Sequence, residues 1–443
     1  MLLQTIYKEG CEKRCLIVSP HFPPSTLAGV HRARHLVKYL PVHGWRPTVI
    51  CVDPRCHIER LDPQLAKLVP TDADIVRVGA LPVCLTKLFG VAGDIGLRGY
   101  FYLRAALARQ INSARPDAVL ITGSPYYPML LAGWIQRNWK LPVVLDFQDP
   151  WVSHTGANAA YWSKAGLSHR LAVAYEPRAL RHAAFVTSVS DLQNREMAER
   201  YHWIDPLFMA GIPIGGDPDD FDAIRHLAKL RPRPGVPFTL SYVGTALPRS
   251  TALFTALFRS IASLLVQQPN LAARLRLRFV GTSNQPNDDT SFPVRALAAA
   301  EGIDHLVTEE PARVPYIEAL KILATSDALM MIGSDEPHYT ASKIYPALMS
   351  GRPYLSIFHR KSSAHEILIN AGGGIALAFS SPTELEALVP RIGEGVRLLV
   401  QNAALLGEVN PKAYEPYTAN AVAGRFADVF VSALQRQSTT NRT

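Results

Sequence analysis

Two doubly wound parallel α/β domains in tandem are the architecture that this sequence predicts. Three features say so: continuous apolar runs of strand length, helical patterns between them, and a single restart of that alternation after a polar stretch. A chain of 443 residues is too long for one ordinary core, and 48% hydrophobic against 19% charged residues is enough to fill two.

The first domain opens with Arg14 to Ser19 (RCLIVS), an apolar strand broken by Pro20, Pro23 and Pro24. A helical pattern follows Gly29 through Val30, Leu36, Val37 and Leu40, ends at Pro41 and Gly44, and gives way to the strand Pro47 to Val52. The alternation continues with strand Asp117 to Thr122, a helix from about Pro128 to Asn138, strand Pro142 to Asp146, a helix around Glu176 to His182, strand Phe185 to Val189 and a helix from Asp191 to Tyr201. Gly215 to Gly235, with GGDPDDFD and RPRPG, reads as a linker. Beyond it, the strands Phe238 to Gly244, Leu275 to Gly281, Ala328 to Ile332 and Pro353 to Phe358 repeat the grammar, and Tyr417 to Leu434 is a last amphipathic stretch. The expected boundaries are 1–215 for the first domain, 216–236 for the linker, 237–410 for the second domain and 411–443 for a tail.

Composition narrows the setting. No apolar run approaches the roughly 18 residues of a membrane span, and the polar first ten residues lack the apolar core of a signal peptide, so a cytoplasmic protein is expected. Five cysteines fit that compartment, and Cys51, Cys56 and His57 read as ordinary side chains rather than a metal site. Residues 1–215 carry 24 Lys+Arg against 16 Asp+Glu, and the remainder 22 against 21. A basic half beside a nearly neutral one points to different partners for the two.

Ligands of open parallel sheets sit beyond the carboxyl ends of the strands, so the loops there are where chemistry is sought. In Ser19 to Arg32, Gly29 at a helix start lets backbone N–H groups approach an anion, or simply makes a turn, and His21 lies on the same loop. In Val144 to Trp151, Asp146 and Asp149 stand three apart at a strand end, suited to sugar hydroxyls or proton transfer, while Asp149 before Pro150 equally suits a turn cap. Gly244 and Arg249 follow the strand Ser241 to Val243, and Arg249 suits either a phosphate or a solvated loop. The fourth loop, Gly333 to Tyr354, places Ser342 and Lys343 at the opening of a short helix as a phosphate cradle.

Together these segments resemble the glycosyltransferase family 4-like group over nearly the whole chain. The resemblance rests on Pro23-Pro24, Gly29 and Arg32; on Gly44 to Pro47; on Asp146 to Trp151; and on Glu176 to Val189-Ser190. It continues with Ile212 to Asp220, Tyr242 to Gly244, Phe279 to Gly281 and the Ser342 to Pro353 segment. It implies a GT-B fold, two Rossmann-like domains facing a central cleft, with a nucleotide sugar held mainly by the second. It also implies retention of anomeric stereochemistry, no cofactor, no required metal, and a last helix that crosses back to the first domain. Asp146, Asp149 and His21 then fall on the acceptor or catalytic side, and Gly29, Gly244, Arg249, Ser342, Lys343 and Glu336 on the donor side. The chain departs from the family where two donor-loop glutamates usually stand eight positions apart: His338 and Pro346 occupy those places, leaving Asp335 and Glu336 as nearby acids. Gly123-Ser124-Pro125 likewise stands where many members have a histidine.

The leading expectation is a transferase building a cell-surface polysaccharide or glycolipid on a glycan or lipid-linked acceptor. A catalytically degenerate scaffold subunit and a sugar-nucleotide epimerase are the alternatives. The segment 77–115 holds Arg77, Lys87, Arg98, Arg104, Arg109 and Arg115 against Asp94, with Leu81, Leu85, Leu88, Phe89, Val91, Tyr100, Phe101 and Tyr102 between them. Leu103, Leu107 and Ile111 form the inward stripe of a helix there, and the rest reads as a solvated face or as a surface for anionic lipid at the inner face of the membrane. No nucleic-acid recognition motif accompanies the charge.

Overall fold

The computed structural model describes residues 12–27, 29–87, 93–224, 237–283, 290–336 and 342–440. Its contacts divide the chain into two compact units, Met1–Ile214 with Ala419–Thr443, and Gly215–Thr418.

The first unit is built on seven parallel strands: β1 (Lys13–Val18), β2 (Trp45–Val52), β3 (Asp74–Val78), β4 (Ala118–Gly123), β5 (Val143–Phe147), β6 (Phe185–Ser188) and β7 (Met209–Gly211). Their order is β3-β2-β1-β4-β5-β6-β7, so the winding reverses between β1 and β4. Central strands β4 and β5 are buried at every residue, as continuous apolar strands covered on both faces must be, while the edge strand β3 carries exposed Asp74 and Arg77. One face packs under helix Ile95–Ser113, whose Leu103, Leu107 and Ile111 are buried. The other packs under helix Val30–Tyr39 and the last helix, Ala419–Thr440, which places Val422, Phe426 and Phe430 against Leu36 and Trp45. The Trp45 and Phe430 rings lie 4.9 Å apart.

Inside that second face is a charge with no access to water. Arg32, on the helix Val30–Tyr39, is fully buried and donates through Nε to Asp146 Oδ2 at 3.1 Å. Its Nη1 and Nη2 donate to the carbonyls of Pro213 and Ile212 at 2.8 and 2.5 Å, and its guanidinium lies 4.9 Å from the centre of the Phe426 ring. Thr187 Oγ1 donates to the other oxygen of Asp146 at 2.8 Å. One ion pair thus ties together a helix, β5, β6, the segment after β7 and the last helix.

The second unit repeats the plan with β8 (Phe238–Val243), β9 (Leu275–Val280), β10 (Val307–Glu310), β11 (Ala328–Ile332), β12 (Tyr354–His359) and β13 (Gly374–Phe379). All six are parallel, in the order β10-β9-β8-β11-β12-β13, and the reversal falls between β8 and β11. Pro248–Gln267 matches a membrane span in length and mean hydropathy, 1.3, but half of it is buried as a core helix, with Leu253, Phe254, Leu257, Phe258 and Ile261 in the domain interior. Pro218–Ile224, read from sequence as open linker, instead forms a 3-10 turn whose Phe221 and Ile224 join this unit's core. The remaining linker residues, 225–236, lie outside the described residues. The chain enters and leaves the unit side by side, with Gly216 N–H donating to Tyr417 O at 3.0 Å.

Removing one member of a buried ion pair strands the other charge, which costs about 3–5 kcal/mol. Asp146→Ala should therefore lower the unfolding free energy of the first domain by about that amount in urea titration, and Arg32→Met with Asp146→Leu should recover most of it.

Candidate active site

Each sheet has its crevice where the winding reverses, and the loops there carry the chemistry. In the second unit these loops follow β8 and β11. Ser250 Oγ donates to Gly333 O at 2.6 Å and Asp335 N to Arg249 O at 3.2 Å, which joins the two loops. Across them Arg249 Nη1 pairs with Glu336 Oε1 at 2.5 Å, both side chains remaining open to solvent.

Lys343 stands just before the short helix Ile344–Met349. Its ammonium donates to Tyr242 Oη and lies 4.2 Å from the centre of that ring. Tyr242 in turn donates to Thr245 O at 2.8 Å. Burial pushes the Lys343 pKa down to about 7. Gly244 makes this possible: its φ of 141° disfavours any side chain, and a Cβ there would fall 2.9 Å from Lys343 Cδ. Ser342 accepts a bond at its carbonyl from Tyr345 N at 3.3 Å. Beside the β8 loop lies a cavity of about 350 Å³ walled by Leu247, Pro248, Phe254, Val294 and Leu297, with Ser283 and Ser291 as polar points. Glu309, which no motif suggested, fixes its wall by accepting from Thr282 Oγ1 at 2.5 Å and from the backbone of Val294 and Arg295 at 3.3 and 2.7 Å. Of the family's two donor-loop positions, His338 lies outside the described residues, and Pro346 sits within the short helix.

In the first unit the crevice lies between the β1 and β4 loops. Gly29 has ordinary helical torsions, and what its missing side chain provides is room: a Cβ would sit 3.1 Å from Gln148 Oε1. Gln148 Nε2 donates to Thr122 Oγ1 at 2.5 Å and its backbone N–H to Gly123 O at 2.8 Å, while its buried Oε1 has no partner among the described residues. Sequence reasoning passed over this residue, although it lies in the same strand-end turn as the two aspartates. Asp149 is exposed as a residue, while partial desolvation of its carboxyl raises its pKa to about 6. Its backbone carbonyl accepts from Tyr126 Oη at 2.9 Å, and Tyr126 stacks on Trp151 at 5.3 Å. Asp146 requires a correction. It has no exposed surface, burial raises its carboxyl while Arg32 and Thr187 draw it back, and both oxygens are engaged in the core, so it is a structural residue rather than one that meets a sugar.

His21 is bound up with two residues after β2. Glu59 Oε1 faces His21 Nδ1 at 3.0 Å, His57 Nδ1 at 2.8 Å and Ser25 Oγ at 2.6 Å. Burial works against the Glu59 charge, but these bonds outweigh it and hold the carboxyl well below the usual range. His57 therefore groups with His21 and Glu59, and neither Cys51 nor Cys56 joins them.

The basic segment 77–115 is less uniform than its sequence. Arg98 is buried, with Nε donating to Leu81 O at 2.8 Å, because the chain at Leu81 folds over it. It is removed from any lipid-facing set. Arg104 and Arg109 are exposed beside Phe101 and Tyr102, at 66% and 43% exposure. Leu88, Phe89 and Val91 lie outside the described residues.

Comparisons with known proteins agree with this layout. Residues 28–211 match the glycosyl transferase 4-like domain. The chain is similar in structure to a glycosyltransferase from Rickettsia africae, at 17% identity and a TM-score of 0.62, over 96% of this chain and 99% of that one. It is also similar to an α,α-trehalose-phosphate synthase (UDP-forming) from Burkholderia xenovorans, at 12% identity and 0.59, over 94% and 100%. A putative UDP-N-acetylglucosamine 2-epimerase from Listeria monocytogenes is similar at 13% identity and 0.51, over 94% and 95%. No curated protein matches in sequence. Residues 28–211 thus carry the pattern of the glycosyl transferase 4-like domain, and the chain as a whole shares the GT-B fold of these solved structures, two Rossmann-like α/β domains.

Lys343 yields a pH prediction. Its folded pKa, about 7, lies below the ordinary 10.5, so between these values the unfolded chain binds more protons and stability rises with pH. Lys343→Met should flatten that rise in urea midpoints taken from pH 7 to 10, relative to the parent protein.

Proposed function

We propose that the chain transfers a sugar from a nucleotide-sugar donor to a glycan or lipid-linked acceptor, with retained anomeric configuration and no required metal ion. The observation that carries the reading is Lys343, a half-buried cation packed against Tyr242 and Gly244 at the crevice of the second sheet. A diphosphate placed there restores full charge to the ammonium, which in a desolvated site binds an anion strongly. Arg249 exchanges Glu336 for a phosphate oxygen, Ser342 adds a hydroxyl, and the apolar cavity beside the β8 loop takes the nucleobase. Glu336, released, is the carboxylate at hand for the donor sugar or ribose in place of the family's glutamates.

In the transfer, the bond from the anomeric carbon to the diphosphate oxygen breaks and a bond to the acceptor oxygen forms on the same face. The acceptor's proton leaves with the nucleoside diphosphate; within the first unit Asp149, with a pKa of about 6, is the carboxyl suited to proton exchange near neutrality. Helix dipoles and these cations carry the phosphate charge that a metal would otherwise balance. Retention and metal independence rest on the family resemblance.

The protein works in the cytoplasm, and its first domain meets an anionic membrane. Arg104 and Arg109 with exposed Phe101 and Tyr102 support this, as does a second aromatic pair, Tyr161 and Trp162, under Arg170. Each surface cation contributes about 1 kcal/mol to such attachment. A scaffold role is favoured by Pro346, which offers no carboxylate where the family has one.

Purified protein incubated with a panel of nucleotide sugars and acceptors should release nucleoside diphosphate, and Mg²⁺ or Mn²⁺ added after dialysis against chelator should not change the rate. Absence of turnover with every donor would favour the scaffold, and an altered sugar without acceptor the epimerase. Lys343→Ala should weaken nucleoside-diphosphate binding by about 1.5–3 kcal/mol in calorimetry. Flotation should show binding to anionic vesicles at low salt, lost at high salt, and none to neutral vesicles; indifference to anionic vesicles at low salt would sink the membrane role.

A further inference from the structure

The group His21, His57 and Glu59 contains a contact that two acceptors cannot make on their own. His57 Nε2 faces the backbone carbonyl of Val52 at 3.3 Å, and its Nδ1 faces Glu59 Oε1 at 2.8 Å. A neutral imidazole has one N–H. With that hydrogen given to Val52, Nδ1 presents a lone pair to a carboxylate oxygen, a contact that is satisfied either by a second proton on the ring or by a metal ion bound to both atoms. His21 Nδ1 meets the same oxygen at 3.0 Å, the two imidazole rings being 5.3 Å apart and tilted by 57°. The His57 side chain is 1% exposed, and those of Glu59 and His21 are 10% and 12% exposed, so the group is enclosed but reaches solvent at one edge.

We propose that His21, His57 and Glu59 form a binding site for one divalent transition-metal ion such as Zn²⁺. Their ligand atoms all lie within 4.8 Å of one another, the span of a single coordination sphere. Two imidazoles and a carboxylate suit a borderline-soft ion and not Mg²⁺ or Ca²⁺, which take oxygen ligands. The Val52 carbonyl under His57 Nε2 is the outer contact that metal-bound histidines usually make, fixing the tautomer and turning Nδ1 to the ion. Ser25 Oγ, at 2.6 Å from Glu59 Oε1, orients the carboxylate in the same way. Three protein ligands leave a fourth position for water. The ion clips the loop after β1 to the loop after β2, and it belongs to the first domain, apart from the residues assigned to the donor.

The test uses the full chain, dialysed against chelator and titrated with Zn²⁺ alone by calorimetry. One equivalent should bind with micromolar or tighter affinity, the melting temperature should rise, and Co²⁺ should give the visible absorption of a tetrahedral or five-coordinate site. His57→Ala and Glu59→Ala should each weaken binding at least ~100-fold, beyond what loss of an outer contact does, while the exposed His202→Ala should not. If either ligand variant fails to fold, X-ray absorption on the Zn²⁺-loaded parent protein should show two imidazoles. Stoichiometric binding untouched by these variants, a spectrum without histidine, or no binding below millimolar Zn²⁺ would overturn the site and leave a protonated His57 bridging to Glu59.

Discussion

A guanidinium sealed from water must be matched on every side, and Arg32 is the point around which the first domain is arranged. Its partners come from β5, from the segment after β7 and from the last helix, elements far apart in sequence. Such a network stabilises little beyond a well-packed apolar core, but it tolerates only one arrangement, because any shift leaves a buried charge uncompensated. Asp146 is therefore occupied, and of the two acids at that strand end only Asp149 is exposed.

The two sheets reverse their winding in the same way, between first and fourth strand in order of appearance, and each reversal opens a crevice. Different residues fill the two. In the second unit Lys343 lies along a glycine backbone and an aromatic ring, and burial there lowers its pKa. In the first, an amide oxygen without a partner among the described residues precedes, in sequence, a carboxyl of raised pKa.

The fold class was legible because fully covered parallel strands must be continuously apolar, and β4, β5, β11 and β12 are so at nearly every position. The site was legible only as loops. Gly244 and Lys343 were named for separate reasons, yet they touch, and no spacing rule connects residues 99 positions apart. Gly29 was noted for backbone freedom, whereas it serves by leaving space for Gln148. Arg98 reads as a surface cation because sequence does not reveal that the chain at Leu81 folds over it. Asp146 and Asp149 look alike three residues apart, and only alternation along a strand end separates a core ion pair from a solvent-facing acid. His21, His57 and Glu59 were invisible as a group because β1 and β2 bring their loops together only once the sheet has formed.

The helix Ala419–Thr440 completes the interior of a domain whose other residues precede position 215. On the ribosome the second domain, a continuous stretch of chain, emerges before that helix does. Until then Trp45, Leu36 and the Arg32 side chain lack the cover that Phe426 and Phe430 supply, so the first half of the protein must wait, partly open, while the second half folds. Order of synthesis and order of folding are thereby reversed, and the exposed apolar face of the unfinished half is where holdase chaperones would engage the nascent chain.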